Sequence, residues 1–251
     1  MGSRVDLYDL LTERARSDAT VRRVLLGLNW SVAQVDAAGL CFSPIEPPRT
    51  LSFPGTLAGR SAHDLVPWIR SFDPCEATVG CAIINAIVNH EGNSVLQRAQ
   101  PLANAAPPHL RVFANFTDQT TDARVVVIGR YPGLEEVWRG RDYTCLERRA
   151  APGTLPDAAA EYVLPKADWV FVTGSAIANK TLPRLLELSR AATTVLMGPS
   201  VPWLEEWADF GVNYLAGVAV RDVDRLWQVA AEGGGTRIFD EAVNYSLVRL
   251  K

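Results

Sequence analysis

The chain has 251 residues, 48% apolar and 21% charged, with a net charge of −3 at pH 7. That length suffices for one large core or two modest ones, in an ordinary globular composition. The charge balance supplies no basic field for a phosphate backbone, which argues against a nucleic-acid partner. No apolar run reaches membrane-spanning length either: the longest, Val79 to Val88, is interrupted by Asn85.

The N-terminal Met1-Gly2-Ser3-Arg4-Val5-Asp6 is charged too early for a signal peptide, and Asp6 fails the myristoylation pattern. Leu7, Leu10, Leu11 and Arg14 predict an amphipathic helix over Val5–Arg16. Val21 to Val35 reads as one extended strand that turns at Asp36–Gly39 and returns as Leu40–Phe42, a β-hairpin. Four prolines between Pro44 and Pro54 make a loop. Ser61 caps a helix running through Leu65, Trp68 and Ile69. Asp73 as N-cap and Pro74 at the first helical position open another, apolar nearly all round and therefore buried. Ser94 to Phe116 is rich in Ala, Pro and Asn and fits no single element. The polar run Thr117–Asp122 marks a boundary, giving domains 1–117 and 118–251.

After the boundary, apolar strands alternate with helices. Arg124–Gly129, Thr144–Glu147, Asp168–Thr173 and Thr193–Gly198 read as strands, with Val212–Ala219 a further one. Helices fall near Leu134–Trp138, Pro156–Tyr162, Leu182–Arg190 and Trp203–Phe210, and Asp222–Ala231 ends at Gly233-Gly234-Gly235. This grammar predicts an α/β fold with a Rossmann-like parallel sheet covered on both faces, and a ligand beyond the carboxyl ends of its strands.

Three strands end in glycine-bearing turns at that edge: Gly129-Arg130-Tyr131-Pro132-Gly133, Thr173-Gly174-Ser175, and Gly198-Pro199-Ser200. Each is either a tight strand-to-helix turn or an anion-binding turn; three at one edge favour a site. Glu147 follows Gly129 by 18 positions, near the offset of a ribose-binding carboxylate. It either serves a ligand or pairs with Arg130 or Arg148. The first turn is not GxGxxG and no Walker motif occurs, so neither NAD nor ATP is expected. Asn179 either contacts a ligand or caps the helix beginning near Thr181, and Lys180 beside it reads as solvated. Asn29 faces a ligand if Trp30 faces the core. Asn85 is either a satisfied core amide or a site residue, and Glu76 stabilises its helix N-terminus in any case. His63, His90 and His109 show no metal-binding spacing. Nor do Cys41, Cys75, Cys81 and Cys145, which suit reduced thiols in a cytoplasm.

Gly129-Arg-Tyr-Pro, Leu146-Glu147-Arg148, Pro152-Gly-Thr-Leu-Pro156, Leu164-Pro-Lys-Ala-Asp168, Thr173-Gly-Ser-Ala176 with Asn179 and Thr181, and Gly198-Pro-Ser200 with Pro202 follow one another in an order that resembles the heavy-metal-chelation domain family. The resemblance covers about Asp122 to Leu250. Asp73-Pro-Cys-Glu76 through Gly80 to Asn85-Ala resembles the buried helix of that family's companion, an enolase-N-terminal-like α+β domain. The resemblance implies a cleft between the two domains that binds a metal ion or an anionic metal-chelating small molecule. It carries over Arg130, Glu147, Thr173, Gly174, Ser175, Asn179, Gly198, Pro199 and Ser200, with Glu76 and Asn85 from the first domain. Trp203 departs from the aliphatic residue expected after Pro202, which implies a differently shaped cleft wall.

On this reading Glu76 and Glu147 are the metal ligands, and oxygen donors suit harder cations. The alternative is an enzyme acting on a small carboxylate or phosphate compound, with Glu147 or Glu76 as general base and Arg130 stabilising an oxyanion. A third reading is an assembly protein, a homo-oligomer whose apolar buried helix and seven tryptophans serve an interface. That reading requires Asn29, Asn85 and Glu147 to be satisfied by neighbours with no cavity between them.

Overall fold

The computed structural model describes residues 6–48, 50–149 and 151–250. Val5, where the sequence starts the first helix, and the other residues read against a leader, Met1 to Arg4, lie outside them. The helix runs Leu7–Arg14. The Asp6 carboxylate caps it, accepting from the Tyr8 and Asp9 amides at 2.8 and 3.3 Å.

Arg23–Leu26 (β1), Trp30–Gln34 (β2) and Ala38–Phe42 (β3) form an antiparallel sheet in that order. The expected single strand over Val21–Val35 is thus two, because the chain reverses at Gly27-Leu28-Asn29. Leu28, which continued the apolar alternation, stands 83% exposed at that turn. The Pro74–Val88 helix lies across the sheet, with Asp73 accepting from the Cys75 and Glu76 amides. From Cys75 to Val88 only Glu76 and Ile87 escape burial, which is why the sequence there lacks a polar face. The helix capped by Ser61 lasts four residues, Ala62–Leu65, and then tightens into a 3-10 turn over Val66–Arg70, where Pro67 interrupts it.

The larger sheet has eight strands. Gln100–Pro101 (β4) is followed by Val125–Ile128 (β5), Tyr143–Glu147 (β6), Thr154–Pro156 (β7), Trp169–Thr173 (β8), Thr193–Met197 (β9), Tyr214–Val220 (β10) and Val243–Arg249 (β11). The spatial order is β4-β11-β10-β9-β8-β5-β6-β7. Six neighbours, β7-β6-β5-β8-β9-β10, are mutually parallel, and β11 and β4 pair antiparallel at one end. The fold is therefore α/β, with a small antiparallel sheet and a large, mostly parallel one. The sequence reading had no β4, β7 or β11. The first two span three residues or fewer and contain proline, and β11 departs from the parallel grammar.

Both faces of the large sheet are covered, so β8 alternates between two cores. Val170 and Val172 join Ile177, Leu182 and Trp207 on one face, with the apolar side of the Pro74–Val88 helix. Phe171 joins Phe113, Trp138 and Met197 on the other, with ring centroids 5.2–5.5 Å apart among Phe113, Trp138 and Phe171. Trp203 is fully buried beneath β10 and donates to Val218 O at 3.0 Å, so its bulk fills the core rather than reshaping a cleft wall.

Candidate functional site

Parallel pairing brings the carboxyl ends of β5, β6, β8 and β9 to one edge. Gly129 and Gly198 leave their strands at φ of 97° and 114°, angles that a side chain resists, and turn the chain sharply over that edge. The β2–β3 end of the small sheet and the start of the Pro74–Val88 helix face it. Between them lies an open cleft of about 1190 Å³.

The cleft gathers Asn29, Arg130, Glu147, Thr173, Gly174, Ser175, Asn179, Gly198, Pro199 and Ser200 from their distant sequence positions. Asn85 and Glu76 are not among its lining residues. Asn85 is fully buried; its amide donates to Leu40 O at 2.7 Å and its oxygen accepts from Asn89 at 3.3 Å. That is the core alternative, a buried amide satisfied between helix and β3. Glu76 sits midway between Pro74 and Thr78, which do line the cleft. Residues four apart share a helix face and the one between them points away, so the two expected metal-binding carboxylates do not converge.

The carboxylate of Glu147 and the side-chain amides and hydroxyls of the cleft have traceable partners. Glu147 Oε2 accepts from the Arg130 amide at 2.9 Å, and Oε1 from the Arg148 and Arg149 amides at 2.8 and 3.3 Å. The carboxylate thus organises the loops after β5 and β6 through their backbones, not through the arginine side chains. Asn179 Oδ1 accepts from the Thr181 amide at 3.1 Å and hydroxyl at 2.7 Å. Ser200 Oγ accepts from the Phe42 amide at 2.8 Å, and Asn29 donates to Gly233 O at 2.7 Å. Thr173 and Ser175 share a hydrogen bond of 3.2 Å. Beside them burial pushes the Tyr131 phenol up to about 12, a hydrogen bond with Thr173 opposing.

Lys180, which the sequence reads as solvated, is half-buried. It lines the cleft at φ of 70°, a left-handed conformation rare for lysine, bracketed by the Asn179–Thr181 bonds. Its ammonium donates to Ala178 O at 3.0 Å and lies 5.2 Å from the Tyr8 ring centroid. Burial lowers its pKa, with Cys81 and Cys41 nearby acting in the opposite direction. The only local signal was its place between an Asx-type acceptor and a threonine.

The cleft cations fall into two groups. Arg149 meets Glu46 at 2.5 Å, Arg184 is held by Glu161 and Glu187, and Arg148 lies 3.8 Å from Asp157. Arg130 and Lys180 form no ion pair among the described residues.

A metal cage needs several converging donors. Among the described residues no group of three or more His, Cys, Asp or Glu side chains could hold a metal ion. Cys41, Cys81 and Cys145 lie behind the cleft wall and donate to the carbonyls of Phe42, Ser200 and Gly129. A hydrogen bond with Cys41, then burial, raises the Cys81 pKa, and burial raises that of Cys145. The side chains present do not fit a metal held by protein alone. No helix among the described residues is long and apolar enough to cross a membrane.

Comparison with known proteins gives a consistent picture. A family model described as "Putative heavy-metal chelation", DUF364, matches residues 112–249, and a second of the same description, DUF4213, matches residues 8–88. An uncharacterized protein of Methanocaldococcus jannaschii is 27% identical over 178 residues, 66% of this chain but only 63% of that relative's length. The crystal structure of a DUF364-family protein of unknown function from Desulfitobacterium hafniense DCB-2 is similar at 27% identity and a TM-score of 0.86, covering 97% of each chain. Another, from Pyrococcus horikoshii, shares the fold at 20% identity and a TM-score of 0.77, covering 96% of this chain and 97% of that one. Since the first match spans more than half of the sequence, the chain belongs to the DUF364 family, described as putative heavy-metal chelation.

Proposed function

We propose that the chain binds an anionic small molecule in the cleft, and that a metal ion enters, where one does, as a chelate carrying its own donor atoms. The observation that carries this reading is the pair Arg130 and Lys180: two cations lining one cavity that form no ion pair among the described residues, one after β5 and one after β8. A bound anion completes them through charge-assisted hydrogen bonds in a partly desolvated space. The family description supplies the metal, and the lack of a donor cluster among the described residues favours a chelate over a bare ion. We take the chain as two units, 1–117 and 118–251, the first enolase-N-terminal-like and the second Rossmann-like, with the cleft at their junction. Asn29 and Glu147 are both satisfied by neighbours, yet a cavity lies between them, which speaks for a binding protein over an assembly element. Four unpaired cysteines fit the reducing cytoplasm expected from the sequence.

The test is calorimetric titration with inorganic phosphate, citrate and ferric citrate. Saturable binding is expected for at least one of them. Arg130→Ala and Lys180→Met should each weaken it by about tenfold or more, since a hydrogen bond to a charged group contributes roughly 1.5–3 kcal/mol. Absence of saturable binding for all three, or full affinity in both variants, overturns the reading.

A further inference from the structure

We infer that the anion taken by the cleft is a nucleoside 5′-monophosphate, with one ribose hydroxyl on Glu147. This rests on the anion-binding reading above and adds the class of ligand.

Strand order is the first observation. Across β7-β6-β5-β8-β9-β10 the chain runs outward in both directions from β5 and β8. In open parallel sheets the crevice at such a reversal is where ligands lie, and the carboxylate ending the strand after the first meets the ribose. Here β5 is the first strand, and Glu147 ends β6.

Geometry is the second. The amides of Arg130, Arg148 and Arg149 pin the Glu147 carboxylate at the meeting of two loops, on the cleft wall. An ionised carboxylate offers about four acceptor positions. Oε1 takes two amides and Oε2 takes one, so Oε2 keeps one position for a hydroxyl donor.

The surroundings supply both parts. Leu146, Ala158, Leu185 and Leu188 also line the cleft and offer apolar surface for a planar base. Arg130 and Lys180 line the same cleft and supply positive charge for a phosphate. The turn after β5 argues against a dinucleotide. Arg130, Tyr131 and Pro132 replace the small residues that let a backbone approach a pyrophosphate, and Pro132 has no N–H to give.

The experiment is calorimetry on the whole chain with adenosine 5′-monophosphate, its 2′-deoxy and 3′-deoxy forms, adenosine, and inorganic phosphate. The monophosphate should bind saturably and adenosine more weakly. One of the two deoxy forms should lose about tenfold or more, the worth of one hydroxyl on a charged acceptor. Glu147→Gln should show the same loss for the monophosphate and none for phosphate. If that variant disturbs the loops, the ligand series on the unaltered chain decides alone. Phosphate or citrate binding without nucleotide binding overturns this inference and leaves the anion reading standing. Equal affinity for all three nucleotides overturns the role of Glu147. Failure of every anion overturns both.

Discussion

The small sheet with its helix and the carboxyl edge of the large sheet handle polar groups in opposite ways. Where the Pro74–Val88 helix meets β3, Asn85 is wholly enclosed and bonded to Leu40 O and Asn89. At the large sheet's edge, Glu147 and Asn179 are also bonded, but they hold loops that carry Arg130 and Lys180, which form no ion pair among the described residues. The first region settles its polar groups for stability. The second uses them to present charge.

That contrast predicts which changes unfold the chain and which merely blunt it. The largest effect belongs to Gly39→Ala. A Cβ there would stand 2.1 Å from Ala86 N and 2.3 Å from Ala82 O, both backbone atoms that cannot yield without separating β3 from the helix. A loss of at least about 3 kcal/mol is expected in urea unfolding, beyond ordinary overpacking. Asn85→Ala comes next, at about 2 kcal/mol, because Leu40 O loses its buried donor. Its anion affinity should match the unaltered chain; a loss of affinity at full stability would break the comparison. Lys180→Gly runs the other way. Relief of the left-handed backbone should raise stability by up to about 1 kcal/mol while anion affinity falls about tenfold. A gain in melting temperature without loss of affinity would show Lys180 to be strained for some other purpose.

The smallest effect is a pH dependence far from the cleft. Hydrogen bonds from the Arg124 guanidinium, then from its amide, hold the Asp168 carboxyl at about 2, below its usual 3.8. Its contribution is therefore complete above pH ~4 and lost as pH falls toward ~2. The pair is exposed, so the contribution is modest. Asp168→Asn should flatten stability against pH within that window alone, read by thermal unfolding at a series of pH values.

Much of the cleft was legible because glycine turns and strand ends are local signals. Gly129, Gly174 and Gly198 announce themselves by sitting after apolar strands, and parallel pairing must then stack them. Asn85 was not resolvable between core and site, since the sequence does not say which backbone carbonyl will face a buried amide. Glu76 marks another limit, since cap geometry fixes the helix start but not its rotation toward a cleft formed with a distant sheet. Lys180 reads as solvated because a left-handed backbone at a non-glycine position has no compositional mark. The turn at Leu28 shows the same limit, since apolar alternation continued through a residue that faces solvent.

The segment after β9 carries one more consequence. Ser200 accepts from Phe42, Asn89 donates to Val201 O and accepts from the Trp203 amide, and Asn93 donates to Trp203 O. These part-buried bonds stitch the cleft's back wall to the Pro74–Val88 helix, β3 and the segment after them, so a hinge there would have to break several of them together. The cavity is preorganised rather than clamshell-like. Ligand capture should proceed with little backbone rearrangement, and discrimination should rest on fixed shape and charge rather than on closure.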